Sequence, residues 1–160
     1  MPTLLPPNLL LLGAAEELLP GWCRSLDGWN SLLIDYHPPM VWRLWRQWGD
    51  HRVLLHHVHA CAEGAALWHP HPWPSIVRVI AGQYRMRVGY GEGNEPPLTA
   101  ATLWLMTGSV YMMDEPNGWH AVEPTTSSLS VMLTGKPWQR VMPTPPSHPC
   151  LSGCHPRNLK

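Results

Sequence analysis

The stretch Leu67-Trp-His69-Pro-His71-Pro-Trp-Pro-Ser75 places two imidazoles at positions i and i+2. Alternate residues of an extended segment point to one side, so both rings can face a single point. Neutral imidazole is a common ligand for iron, zinc, copper and nickel, and the interleaved prolines stiffen the backbone that presents it. With ten His in 160 residues a His-x-His pair also arises readily by chance, and a second one, His57-x-His59 beside His56, is present. Two features set the first pair apart. One is the fixed interval from Ser75 to Gly82; the other is a third histidine, His120, delivered to a strand start by the turn signal Pro116-Asn-Gly118. Together His69, His71 and His120 suggest coordination of one divalent metal.

Other side chains carry weaker claims. Tyr84, Met86 and Val88 alternate along one segment and should line a common wall, which makes the Tyr84 hydroxyl a candidate catalytic group beside the metal. Ser75 is a second candidate hydroxyl, and Trp73, Trp119 and Met86 are expected to shape the pocket. Arg78, Arg85 and Arg87 read as exposed strand residues, although one inward Arg would suit a carboxylate substrate. His57 and His59 share a strand face and offer support to the metal or a second site; Tyr111 and Glu115 rank with them. The segment His148-Pro-Cys150-Leu-Ser-Gly-Cys154-His155 has the letters of a zinc site, but its spacing matches no common finger. No nucleophile elbow, phosphate-binding loop or dinucleotide fingerprint occurs.

These residues need a scaffold. At 160 residues and 44% hydrophobic content the chain suits one domain with a real core. Nineteen Pro and thirteen Gly disfavour long helices. Asn8 is a fitting N-cap and Pro20 a fitting stop for a helix of Leu and Ala between them, and a weaker second helix is read around 25–34. Residues 41–48, Val-Trp-Arg-Leu-Trp-Arg-Gln-Trp, fit a helix or a strand equally. From Arg52 onward short β-like runs dominate, at 52–60, 75–81, 83–90, 100–106, 109–113, 120–122 and 129–134. The runs on either side of Gly82 read as a tight hairpin. Runs at this spacing indicate a sandwich or barrel. The expected organisation is an N-terminal helical extension over 1–40, a barrel over 41–142 and a Pro-rich tail over 143–160.

At this point the chain resembles a known family. The stretch from about Gly64 to Gly135 is similar to the cupin superfamily, whose first motif runs G…HxHxxxExxxxxxG; here it reads Gly64, His69, His71, Ser75 in place of Glu, and Gly82. The second motif, roughly G…PxGxxH, reads Gly108, Pro116, Gly118 and His120, one residue shorter between Gly and His. The resemblance covers a little under half of the chain. It implies a mostly-β, double-stranded β-helix (jelly-roll barrel) with the three histidines as metal ligands. Loss of the Glu resembles the three-histidine, cysteine-dioxygenase-like branch. That branch's Ser-x-His-x-Tyr set falls on Ser128, Ser130 and Met132, so only its first member is kept, and Cys61 precedes the histidine pair rather than standing where a Cys–Tyr cross-link would need it.

The functional expectation is a non-haem iron dioxygenase-like protein acting on a small polar molecule of the thiol or diketone class, with Fe(II) favoured and Zn or Ni as other candidates. A non-catalytic small-ligand-binding barrel and a metal-dependent isomerase or lyase are the alternatives. Lys plus Arg equals Asp plus Glu at 11 each, so no basic field exists to hold nucleic acid. The apolar run Leu9–Leu12 is too short for a signal peptide or a membrane span, and scattered cysteines fit a reduced, cytoplasmic protein. Open barrel edges lead us to expect a homodimer.

Overall fold

The computed structural model describes residues 6–138. The tail motif around Cys150 and Cys154, and the rest of 143–160, lie outside the described residues. Helix α1 spans Leu9–Trp22, and the Asn8 side chain accepts a hydrogen bond from the Leu11 amide at 3.0 Å, as an N-cap should. Pro20 does not stop the helix but lies inside its last turn. At that position the missing N–H removes one intrahelical bond close to an end that frays in any case.

Ten strands follow: β1 Asn30–Ile34, β2 Val41–Trp48, β3 His51–Val58, β4 His69–Pro70, β5 Ser75–Ala81, β6 Gln83–Tyr90, β7 Ala101–Met106, β8 Val110–Met113, β9 Gly118–Pro124 and β10 Ser128–Thr134. They form a six-stranded sheet, β1-β2-β3-β10-β5-β8, and a four-stranded sheet, β4-β9-β6-β7, with antiparallel pairing throughout. This mostly-β jelly roll with a short N-terminal helix is the cupin-type fold. The helix expected over 25–34 does not form. Its Ser-Leu-Leu-Ile segment pairs with β2 instead, because the β2 edge would otherwise be left without partners. That same pairing, with β3 on the other side, makes 41–48 a strand.

The expected hairpin at Gly82 is not one. Strand β5 pairs with β10 and β8 while β6 pairs with β9 and β7, so Gly82 hands the chain from one sheet to the other. Gly82 has φ +83°, and a Cβ there would stand 2.7 Å from the Ser127 carbonyl oxygen. Only glycine meets both demands.

Two apolar regions hold the layers together. Leu12 and Ala15 of α1 seal the outer face of the six-stranded sheet against Val53, Ile76, Val131 and Leu133. Between the sheets, Val79, Tyr84, Met86 and Leu105 interlock. Burying one such side chain contributes about 1.5–3 kcal/mol, so the interior can tolerate a polar site at one end.

Candidate metal centre

Strand β4 has two residues, and its register sets the site: His69 lies directly across from His120, and Pro70 from Trp119. The two Nε2 atoms are 3.0 Å apart. His71, two residues on, stacks with His69 at 5.4 Å between ring centroids and meets His120 edge-on at 4.6 Å. One ring nitrogen from each of the three lies within 4.8 Å of the others. The expected convergence of the three histidines is thus present in the geometry.

Each ring is held from behind by its Nδ1. In His69 that atom faces the Leu67 carbonyl at 3.2 Å, in His71 the Ser75 hydroxyl at 3.3 Å, and in His120 the Met86 sulfur at 3.4 Å. A carbonyl can only accept, so His69 carries its proton on Nδ1 and offers the Nε2 lone pair. Such outer partners fix tautomer and ring direction at metal sites. Burial keeps the His71 and His120 rings neutral, pushing each well below the usual histidine range, with the neighbouring histidines adding to the effect.

The donor set fits a divalent metal. The three ring nitrogens are close enough together to bind one ion about 2.1 Å from each after small adjustments. No carboxylate joins the group among the described residues.

A cavity of about 110 Å³ opens beside the three rings. Its polar lining includes Arg43, His56, Tyr84, Tyr111 and Ser130, with Leu54, Val122 and Met132 among the apolar walls. The Arg43 Nε donates to His56 Nε2 at 2.9 Å, so the His56 proton sits on Nδ1. Burial, then Arg43 and the neighbouring histidines, push His56 well below its ordinary range. The Tyr84 hydroxyl donates to Tyr111 at 3.3 Å; burial raises both phenols, Tyr84 to about 12, so both stay protonated near neutrality.

The sequence candidates sort unevenly around this cavity. Tyr84 and Trp73 line it. Ser75 does not: it is buried behind His71 and braces that ring rather than facing a substrate. Trp119 and Met86 line a second cavity instead. Adjacent strand residues point to opposite sides, so Trp119 cannot share the side of His120, and its indole N–H donates to the Gly91 carbonyl at 3.1 Å. The pair His57 and His59 stack on each other at 4.5 Å, away from the cavity lining; the inward histidine of β3 is His56.

The inward Arg is none of the three considered. Arg78 pairs with Glu16, and Arg85 and Arg87 pair with Glu123, which leaves Arg43 as the guanidinium of the cavity wall. Burial alone would raise the Glu123 carboxyl, but Arg85 and Arg87 together hold it below the usual range. Glu123 also accepts the Gly64 amide at 3.1 Å and so anchors the loop that leads to His69.

Comparison with known proteins supports the fold. No protein-family model matches the chain, and no curated protein matches its sequence. Among solved structures it is similar to hydroxypropylphosphonic acid epoxidase from S. wedmorenis, with 15% identity and a TM-score of 0.50 over 65% of this chain and 55% of that one. It is also similar to an RmlC-like cupin from Shewanella frigidimarina, with 13% identity and a TM-score of 0.46 over 69% and 86% of the two chains. KdgF from Halomonas sp. gives 16% identity and a TM-score of 0.46 over 66% and 86%. The chain spans about half the length of the epoxidase. At such identities the likeness is one of fold, and the fold is that of the cupins. No helix among the described residues is long and apolar enough to cross a membrane.

Proposed function

We propose that this chain is a metal-binding cupin that holds one divalent ion through His69, His71 and His120, with Fe(II) favoured over Zn and Ni. We infer further that it is a non-haem iron oxygenase acting on a small polar molecule of the thiol or diketone class. The observation that carries this reading is the convergence of three imidazoles, with no carboxylate, on a closed-in cavity. A bound ion would supply open coordination positions for substrate and oxygen, and its full +2 charge would favour an anionic ligand such as a thiolate or enolate.

The remaining work falls to the chain's own residues. Arg43 places a permanent positive charge on the wall, which suits an anionic group on the substrate, and His56 fixes the direction of that guanidinium. The Tyr84–Tyr111 pair keeps both phenols protonated at the cavity; Tyr84 gives its proton to Tyr111, which leaves the Tyr111 O–H as the donor to an oxygen atom held there. Leu54, Val122 and Met132 exclude water.

Purified protein loaded with Fe(II) should contain about one iron per chain and consume oxygen with at least one compound of a thiol and diketone panel. Protein that binds no metal on titration ends this reading. A second reading has one observation in its favour. Metal-assisted isomerisation or elimination needs a base beside the centre; His56 lines the cavity, and its Nε2 would serve once Arg43 turned from it to an anionic substrate. Metal-filled protein that consumes no oxygen but exchanges carbon-bound hydrogen of a diketone with solvent would favour it. Metal-filled protein that does neither would support a binding module.

A further inference from the structure

Four strands form the edges of the two sheets: β1 and β8 in the larger, β4 and β7 in the smaller. Strand β4 has two residues, β8 four and β1 five, and all five of β1 are at least partly covered. Strand β7 is the longest at six, and five of its residues are exposed, among them Trp104 at 60% and Leu103 at 39%. Folded chains blunt such an edge with charges, prolines or bulges. Strand β7 carries none of these. No charged residue occurs over 97–113, Ala101–Met106 has no proline, and its register with β6 runs without a break.

The backbone of this edge is open at two residues. The Thr107 amide donates to the Gly82 carbonyl at 3.0 Å, one step beyond the Gln83–Met106 pair of the β6–β7 register. Bonded and open pairs alternate along an antiparallel ladder, so Leu105, Leu103 and Ala101 also bond to β6. The backbone groups of Met106, Trp104 and Thr102 therefore point the other way. Met106 is satisfied locally: its amide donates to the Ser109 hydroxyl at 3.0 Å, and its carbonyl accepts from the Ser109 amide at 2.8 Å. Thr102 and Trp104 have no such partner among the described residues. Each offers one donor and one acceptor, and the two stand symmetrically about Leu103.

We propose that β7 pairs antiparallel with β7 of a second copy, with the two-fold axis at Leu103. That register sets Thr102 opposite the partner's Trp104, and the reverse, so that the open groups of both strands satisfy one another. Leu103 meets its own copy in the closer, non-hydrogen-bonded kind of pair, where side chains pack best. A charged partner finds nothing on this edge to pair with, whereas a second copy brings the same uncharged strand. The sheet order β4-β9-β6-β7 keeps β7 away from the histidines, and no residue of β7 lines the cavity beside them. The pairing thus joins two four-stranded sheets into one and leaves both metal centres accessible.

In analytical ultracentrifugation the full chain should sediment at twice the mass of one copy. Thr102→Pro removes an N–H that only the partner uses, and should raise the dimer dissociation constant about 10-fold or more at no loss of a bond to β6. Leu103→Lys sets two like charges across the axis and should leave the chain monomeric where wild type is dimeric. Both variants should keep the circular dichroism and metal content of wild type. The register is read by cross-linking, in a chain whose Cys23, Cys61, Cys150 and Cys154 are replaced by Ser. There Leu103→Cys should form an interchain disulfide on mild oxidation, because paired Cα atoms of this kind stand about 4.5 Å apart, and Trp104→Cys should not. A monomeric wild type overturns the proposal. So does a dimer left equally tight by either folded variant, or cross-linking at 104 as readily as at 103.

Discussion

Strand β9 contributes to two clusters of ionisable groups, Glu123 to one and His120 to the other, and the clusters are built on opposite rules. On the outer side Glu123 is gripped by Arg85 and Arg87, with Glu63 closing on Arg85. Every charge there meets its opposite. On the inner side stand His69, His71, His120, His56 and Arg43, with no Asp or Glu among the residues that line the cavity. Neutral imidazoles that converge on one point are what a metal ion would complete. A cluster of matched charges reads as structure and one of converging donors as a site, and β9 contributes to both.

The largest break should come from removing a ligand. His120→Ala takes away the imidazole that faces both partners, and the variant should keep no iron or nickel after gel filtration, measured by elemental analysis. The fold should survive, since His120 lies in a strand paired on both sides, with β4 and with β6. A variant that still holds one metal per chain would place the centre elsewhere.

The outer cluster should fail differently. Glu123→Gln leaves Arg87 without its carboxylate and Arg85 with exposed Glu63 alone, and should lower stability, read as a shift in denaturation midpoint. Metal affinity should fall only secondarily, through the loosened Gly64 amide. Equal stability of variant and wild type would show that the outer cluster does not hold the loop.

pH separates the two clusters further. His56, His71 and His120 titrate in the folded, metal-free chain well below their ordinary value, so below about pH 6.5 the unfolded chain takes up protons that the folded chain refuses. Stability should therefore fall as pH drops from there, by up to about 1.4 kcal/mol per pH unit for each histidine. The Glu123 carboxyl is also displaced downward, but it stays ionised in the fold, and its contribution is present above the usual carboxylate pKa and lost as pH falls through its lower folded value. Two acid transitions should appear in melting temperature against pH. Bound metal should steepen the first, because protons compete with it for the same ring nitrogens, and leave the second unchanged.

The inner site was partly legible in the chain itself. The His-Pro-His spacing and the turn before His120 place three imidazoles at strand edges, because period-two geometry and turn chemistry act locally. His56 was not legible. In His51–Val58 apolar residues occupy both parities, with Val53 and Leu54 both buried, so alternation alone cannot say whether His56 or His57 looks inward. That choice is made by pairing with β10, which sets His56 across from Ser130. Gly82 teaches the same lesson. A sheet crossing and a hairpin have one local signature, and partners more than 40 residues away in β10 decide between them. Arg43 was hidden by the helix-or-strand ambiguity of 41–48, which the pairing with β1 and β3 resolves.

Ser75 supplies the smallest and sharpest test of the contrast between clusters. Where the family motif carries a carboxylate, this chain has a buried hydroxyl 3.3 Å from His71 Nδ1. A hydroxyl there completes a ligand without adding charge, so the inner cluster remains open. If that is its role, Ser75→Ala should leave the fold and stoichiometry intact and weaken metal binding about 10-fold, as loss of an outer-shell partner typically does. The effect should show in a competition titration with a chelator, while the denaturation midpoint of the metal-free protein barely moves. Were the hydroxyl instead a group acting on substrate, metal affinity would stay at the wild-type level and only turnover would fall. The geometry, with the hydroxyl behind the ring and outside the cavity, favours the first result.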